Sequence, residues 1–253
     1  MEPHEYQTLF ESEGEHWWFR TIRAVLTGAC LRVGLRPGAR LLDAGCGTGM
    51  NLRALQNSVS PNSFGLDAAP EAARFWPLRG LTRMALGSVN DLPFRSGSFD
   101  GVVCVDVLEC EGVEGPRAIR EFARILKPGG HLVLVVPAYR WLMSREHHRA
   151  VRACRRYTRR ETARLFHGTP LKPVRITHLF LTLFPAIAMY RLWRKALERA
   201  RGLRSPRSEV KTPPPLLNRL FWAASAWEPK RLAHGDLPLG SSILAVARKE
   251  AAR

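Results

Sequence analysis

Apolar residues along this chain alternate between two patterns: short unbroken runs, and stretches where they recur every third or fourth position. From His16, Ile22, Val25, Leu26, Ala29, Cys30 and Val33 share one helical face. That helix should end near Gly34, and Pro37-Gly38 turns the chain into a first strand through Ala39, Leu41 and Leu42. The pattern then predicts a helix over Met50–Gln56, a strand over Ser63–Asp67, a helix over Glu71–Trp76 behind Pro70, and a third strand over Thr82–Val89. Gly101–Val107 is almost continuously apolar, as a parallel strand buried on both faces should be. Pro116 opens a helix with Ala118, Ile119, Phe122, Ile125 and Leu126 on one side; Lys127-Pro128-Gly129-Gly130 stops it, and His131–Pro137 is a fifth strand. Strand and helix alternate throughout, so the architecture is α/β with a doubly wound sheet. Residues 1–15 are acidic and polar and read as a loose segment.

The second half follows a different plan. Thr158-Arg159-Arg160-Glu161 is a capping-box pattern that starts a helix running through Phe166. Pro173–Phe180 and Ser241–Arg248 supply a sixth and a seventh strand, the last reached through Leu237-Pro238-Leu239-Gly240. Between them the pattern predicts a hydrophobic-basic helix over Leu181–Arg201, a linker with Pro213-Pro214-Pro215, and a helix over Leu216–Ala233. The expected whole is a doubly wound, mostly parallel seven-stranded sheet with a helical insertion before the last strand. Its parts are a helical cap over 1–36, a core over 37–180, a basic-hydrophobic insertion over 181–236, and a last strand with its tail over 237–253.

Charge changes this picture more than composition does. The 253 residues are 45% hydrophobic, ordinary for a globular protein, but carry a net charge of +17. Residues 1–137 hold 14 Lys/Arg against 15 Asp/Glu, whereas residues 138–253 hold 25 against 7. The excess therefore belongs to the second half and points to an anionic partner there, unless it reflects only an arginine-rich composition. Arg145, Arg149, Arg152, Arg155, Arg156, Arg159 and Arg160 crowd one stretch opposed only by Glu146. They read as a solvated helix face, a phosphate-binding substrate site, or a surface that meets anionic lipid. Leu179–Tyr190, followed by Arg191, Arg194 and Lys195, fits an interfacial segment or a lid over a site. Peripheral contact with an anionic membrane through 138–236 is therefore expected. Nucleic acid ranks below lipid, because only Tyr157 interleaves an aromatic ring with the basic run. No run of about 18 apolar residues exists, since Pro185 and Arg191 interrupt Leu179–Trp193. The acidic start does not read as a signal peptide, and five scattered cysteines fit a reducing compartment. A cytoplasmic location, possible membrane association included, is the expectation.

The candidate chemistry starts at Leu41-Leu42-Asp43-Ala44-Gly45-Cys46-Gly47-Thr48-Gly49. A strand ends in glycines at every second position, which lets backbone approach a ligand closely. A dinucleotide fingerprint would place its third glycine at position 50, where Met50 stands. Asp43, two residues ahead of Gly45, disfavours a pyrophosphate and favours a cationic ligand. Asp67, at the end of the second strand, is placed to accept ribose hydroxyls.

Together with Gly65-Leu66-Asp67, Leu92-Pro93-Phe94, Phe99-Asp100, Asp106-Val107-Leu108-Glu109 and Arg124–Gly130, this turn resembles the successive motifs of class I S-adenosylmethionine-dependent methyltransferases, in particular the small-molecule, quinone-biosynthesis branch. The resemblance covers roughly residues 39–137. It implies a Rossmann-like methyltransferase fold and S-adenosylmethionine as cofactor, with Asp43 and the backbone of Gly45, Cys46, Gly47 and Gly49 at the methionine moiety. It further implies Asp67 and Ala68 at the ribose, Ser88, Val89 and Asn90 around the adenine, and Asp106 near the methionine end. Ser88 replaces a common aspartate and Cys110 a common histidine. Tyr6, His16-Trp17-Trp18-Phe19-Arg20, Pro137-Ala138-Tyr139, Arg155–Thr158 and Pro238–Ser242 more loosely resemble a bacterial subgroup associated with glycan or lipid biosynthesis.

Methyl transfer from a sulfonium is an in-line displacement, so the protein must align the acceptor and exclude water. An oxygen acceptor also benefits from a base, for which His147, His148 and Tyr157 are the candidates. Trp17, Trp18, Arg20 and Tyr139 are candidates for acceptor binding, although the tryptophans equally suit packing of their helix on the sheet. His147, His148 and Cys154 offer too few ligands for a metal. The expected function is methylation of a small-molecule or lipid-linked acceptor at oxygen or carbon; the alternative is a non-catalytic protein that binds membrane or RNA on the same fold. No oligomeric state is assigned.

Overall fold

The computed structural model describes residues 1–143, 149–201 and 211–251. Helices α1 (Glu5–Ser12) and α2 (Trp17–Arg32) precede β1 (Leu41–Ala44). Then follow α3 (Met50–Ser58), β2 (Ser63–Asp67), α4 (Pro70–Ala73), β3 (Met84–Leu86), β4 (Phe99–Val105), α5 (Gly115–Ile125) and β5 (Leu126–Pro137). The second half adds α6 (Arg159–Arg164), β6 (Leu171–Leu179), α7 (Phe184–Arg201), α8 (Pro215–Ser225), α9 (Glu228–Arg231) and β7 (Ser242–Lys249). The sheet has seven strands in the order β3-β2-β1-β4-β5-β7-β6. All neighbours are parallel except β7, which runs antiparallel between β5 and β6. The mostly parallel α/β sheet with a helical insertion before its last strand is thus observed.

Each face of the sheet has its own core, which is why β4 and β5 read as continuous apolar runs. On one side α5 buries Ala118, Ile119, Phe122, Ala123 and Ile125 against Leu42, Val102, Leu132 and Leu134. On the other, α2 buries Ile22, Val25, Leu26 and Cys30 against Leu41, Val103, Val133 and Val135. The strand order reverses between β1 and β4, so the C-terminal ends of these two strands open onto the rim where α/β sheets bind ligands.

Several expectations are corrected. Residues 1–15 are not loose: α1 forms because Tyr6 and Leu9, three apart, share a face that is buried over the rim. The third strand shrinks to Met84–Leu86, since it is an edge strand paired only with β2. The fifth strand starts earlier, at Leu126, which pairs with Phe99. The helix expected over Leu216–Ala233 is broken into α8 and α9, with Pro229 in the first turn of α9, where its missing amide is tolerated. The capping box is present as read: the Glu161 amide donates to Thr158 Oγ1, and the Glu161 carboxylate accepts from the Thr158 amide at 2.8 Å.

The insertion packs on the body of the protein. Asn218 Oδ1 accepts the Trp17 amide at 2.9 Å, and Thr21 and Ser225 share a hydrogen bond of 2.8 Å. Glu228, fully buried, accepts the Phe180 amide at 2.6 Å, and Arg175 ties β6 to Asp236 at 2.7 Å. Among the described residues no helix is long and apolar enough to cross a membrane.

Candidate active site

The glycine turn leaves β1 with positive φ at Gly45 (80°), Gly47 (54°) and Gly49 (94°). A Cβ on Gly45 would run into the Val107 side chain, so the turn and the loop after β4 are in close contact. Asp67 holds the turn from below: its carboxylate accepts the Gly47 amide at 2.8 Å and the Ala69 amide at 2.9 Å. The Gly45 and Cys46 amides both donate to the Leu66 carbonyl. Cys46 is buried, and burial holds its thiol up.

Asp43 is buried, and its Oδ2 has no hydrogen-bond partner among the described residues. Burial raises its carboxyl to about 7, with the Asp67 and Glu13 carboxylates adding to the effect and the Leu52 amide opposing it. Asp67 is raised as well, first by burial and against the pull of the amides it accepts. Three carboxylates around one glycine turn make a site that disfavours further negative charge and attracts a cation. The orphaned Asp43 oxygen and the positive-φ cradle fit a ligand with an ammonium or sulfonium group and exclude a pyrophosphate at this point.

Glu13 reaches the turn from the end of α1, a contribution not visible in the sequence pattern. Its carboxylate accepts from the Thr48 hydroxyl and from Arg79 Nη2 at 2.5 Å. Burial pushes Glu13 up, and Thr48 and Arg79 pull it back. Arg79 also donates to the Thr48 carbonyl at 3.0 Å and the Phe10 carbonyl at 3.1 Å, and lies 4.3 Å above the Phe10 ring. Tyr6, on the same helix, has its hydroxyl pushed up by burial and by the nearby Asp67. Helix α1 is therefore a strap across the glycine turn, and the spacing of Tyr6, Leu9 and Phe10 was the signal for it.

The remaining predicted residues fall into separate places. Val89 is buried; Ser88 Oγ accepts the Asn90 amide at 3.1 Å, and the Asn90 side chain bridges the Gly112 carbonyl and the Glu114 amide. Asp106 follows β4 with φ +49°, a backbone region uncommon for aspartate, and its Oδ1 has no partner among the described residues. Burial pushes its carboxyl up, and Arg156 pulls it back. Trp17 is enclosed by Phe180 and Phe221, with ring centroids at 5.5 and 5.6 Å, and Arg20 lies 4.2 Å over Trp222. Trp18 stacks on Phe180 at 5.9 Å. The aromatic stretch at the start of α2 therefore packs with β6 and the insertion rather than over the glycine turn.

Of the three candidate bases, His147 and His148 lie outside the described residues. Tyr157 does not suit the role: its hydroxyl donates to the Leu108 carbonyl at 2.9 Å, and burial raises it to about 12, so it stays a phenol. Tyr139, the candidate acceptor contact two residues past β5, has φ +58° and shares a 2.9 Å hydrogen bond with His178 Nε2. His178 is buried at the end of β6, its other ring nitrogen has no partner among the described residues, and nothing in the local sequence marked it. Among the described residues no cluster of His, Cys, Asp and Glu could hold a metal.

Comparison with known proteins points to the same fold. Residues 42–134 match the methyltransferase domain family. The ubiquinone biosynthesis O-methyltransferase of Xanthomonas oryzae pv. oryzae is 40% identical over 104 residues, 38% of this chain and 42% of that protein. The Mus musculus protein named Probable tRNA methyltransferase 9B is 34% identical over 116 residues, 45% of this chain and 24% of that protein. Both similarities thus span less than half of the relative's length. Among solved structures, a chain from the complex of the Haloferax volcanii Trm112 methyltransferase activator with a protein assigned as a methyltransferase superposes with a TM-score of 0.62 at 20% identity. The superposition covers 95% of this chain and 93% of that one, and establishes the fold.

Proposed function

We propose that this chain, a class I methyltransferase domain over residues 42–134 with a strap before it and an insertion after it, uses S-adenosylmethionine to methylate a small-molecule or lipid-linked acceptor at oxygen or carbon. The observation that carries this reading is the carboxylate-ringed glycine turn, in which a buried Asp43 oxygen lacks a partner. Bound there, S-adenosylmethionine supplies an already activated methyl group on a sulfonium. Asp43 would hold the ammonium of the methionine moiety, and the glycine-turn backbone would hold its carboxylate. Asp67 has lone pairs left beyond the two amides it accepts, and these suit the ribose hydroxyls. Helix α1 would keep water from the bound cofactor, and the acceptor would approach over Asp106 and the segment after β5.

The test is binding. S-adenosylhomocysteine should raise the melting temperature and NAD should not. Asp67→Asn, which keeps the shape of the side chain, and Asp67→Ala should each weaken S-adenosylhomocysteine at least about tenfold, the loss of a charge-assisted contact. Unchanged affinity in both variants would sink the cofactor assignment.

The acceptor is read as a small or lipid-linked molecule after the ubiquinone biosynthesis O-methyltransferase, 40% identical over 104 residues, rather than the tRNA-named relative, 34% identical over 116. Contact with an anionic bilayer is supported by one surface. On α7, Met189 (70% exposed), Leu192 (50%) and Trp193 (56%) form an outward apolar stripe, with the half-buried Lys195 two residues beyond Trp193. Leu192→Asp with Trp193→Asp should abolish flotation with phosphatidylglycerol vesicles; equal flotation refutes the contact. Point changes are the right probe, because the insertion is packed on α2 and β6 and its deletion would strip the core.

A further inference from the structure

Between the segment after β5 and the start of α6 lies a recess of about 220 Å³, lined by Arg140, Arg155, Arg156, Tyr157, Glu161, Arg164 and Leu165. A site for a whole drug-sized ligand runs to about 300–1,000 Å³, so this recess can seat one group of a ligand and not all of it. We propose that it holds the phosphate or diphosphate group of the methyl acceptor, an inference that deepens the methyltransferase reading and rests on it.

The recess is built, not a chance meeting of surface side chains. Arg156 forms its floor at 7% exposure, with Nη1 donating to the Ala138 carbonyl at 2.9 Å. Arg155 is oriented by two carbonyls, Val113 at 2.7 Å and Leu108 at 3.3 Å, which fix its guanidinium without neutralising it. Arg140 and Arg164 stand exposed at the mouth. Tyr157 supplies an apolar wall, because its hydroxyl is turned to the Leu108 carbonyl. The one acid among the described lining residues, Glu161, is taken up by the capping box, where its Oε2 accepts from both the amide and the hydroxyl of Thr158 at 2.8 Å. Arg140, Arg155 and Arg164 thus present three guanidiniums against one engaged carboxylate, while Arg156 below them also acts on the buried Asp106 and Glu109. Planar forked donors match phosphate oxygens better than any other common side chain does.

Position ties the recess to the transfer site. Arg156 lines the recess and also acts on Asp106 and Glu109, the buried acids after β4. Segment 154–157 packs on the loop after β4: the Cys154 amide donates to the Glu109 carbonyl at 2.8 Å and the Tyr157 hydroxyl to the Leu108 carbonyl at 2.9 Å, so the recess adjoins the loop that carries Asp106. An acceptor anchored by its phosphate at Arg140, Arg155 and Arg164 would extend along this loop towards Asp106. The anchor aligns the acceptor before transfer, which is the main task left to the protein when the methyl donor is already activated.

The experiment is calorimetric titration of inorganic pyrophosphate at low salt into the wild type, Arg140→Gln, Arg164→Gln, and a control, Arg120→Gln, on the exposed side of α5. Both mouth variants should weaken pyrophosphate about tenfold, and the control should match the wild type. Equal affinity in all four, or an equal loss in the control, overturns the proposal. Two further readouts assign the result. Flotation with phosphatidylglycerol vesicles should be the same in the mouth variants as in the wild type; a loss there, with pyrophosphate unaffected, makes a lipid headgroup the occupant and overturns the acceptor anchor. Stabilisation by S-adenosylhomocysteine should be equal in wild type and variants, and its absence from the wild type would defeat the methyltransferase reading while pyrophosphate still reports on the recess.

Discussion

The two sides of the site carry opposite charge, and each sign comes from a different part of the chain. The glycine-turn side is ringed by Asp43, Asp67 and Glu13, from the ends of β1, β2 and α1. The recess side is lined by Arg140, Arg155, Arg156 and Arg164, all downstream of β5. Between them, Arg156 draws the Asp106 carboxyl back down against the effect of burial. On the proposed reading, the near-neutral first half and the strongly basic second half of the sequence supply a cation-seeking side and an anion-seeking side. The comparison teaches that net charge locates a partner poorly, whereas charge sorted by structural element does it well. A donor with a positive sulfonium and an acceptor with a negative phosphate would each be drawn to its own side.

The largest test of this division is on the acidic side. Glu13→Gln leaves the Arg79 guanidinium, 2.5 Å from the lost charge, without its carboxylate; both side chains are under a tenth exposed. Breaking such a buried pair costs about 3–5 kcal/mol, a fall in melting temperature on the order of 10 °C for a chain of this length. The same change should expose α1 to limited proteolysis while pyrophosphate binding in the recess persists. A melting temperature like that of the wild type would mean that the carboxylate does not hold the strap.

A smaller effect is expected at Gly45. Gly45→Ala places a methyl against Val107 and strains a residue at φ +80°, which costs about 1–3 kcal/mol. S-adenosylhomocysteine should be lost and pyrophosphate retained, separating the two sides by a single atom. Adding Val107→Ala should restore only the steric part; full recovery would show that the backbone conformation does not matter.

How much of this was legible follows from the range of the interactions. The glycine turn, the β4 and β5 runs and the capping box at Thr158 are local patterns, and the sequence carries them openly. The strap helix was legible in the spacing of Tyr6, Leu9 and Phe10, but the tie at Glu13 was not, because Glu13 gains its meaning only from Thr48 and Arg79, both distant in the chain. Tyr157 looked like a base because a sequence shows a phenol but not the Leu108 carbonyl that accepts its hydrogen bond. The aromatic start of α2 suggested a ligand lid, yet its rings pack with Phe180 and Phe221, which become neighbours only once the insertion folds back. The arginine run was visible as charge. Its division into a buried floor and an exposed mouth required β5, α6 and the loop after β4 to converge.

The finest test uses pH, and its two readouts have opposite signs. In the folded protein without ligand, Asp43 is raised to about 7, against about 3.9 in an unfolded chain. The folded state therefore holds the proton more tightly, so the stability linked to Asp43 is fully present below about pH 4 and is lost as pH rises towards 7. Asp67 and Glu13 are also raised, and they add to the same slope. A ligand ammonium favours the ionised Asp43, so cofactor binding releases that proton and affinity should rise with pH up to about 7 and then level off. Between pH 6 and 8, melting temperature without ligand should fall while S-adenosylhomocysteine binds several-fold more tightly. Asp43→Asn cannot ionise, so it should flatten most of the affinity change, weaken binding at pH 8, and reduce the fall in stability to the part left by Asp67 and Glu13. If the variant kept the wild-type pH dependence of affinity, Asp43 would not be the group that meets the cation, and the acidic side would owe its preference to Asp67 and Glu13 alone.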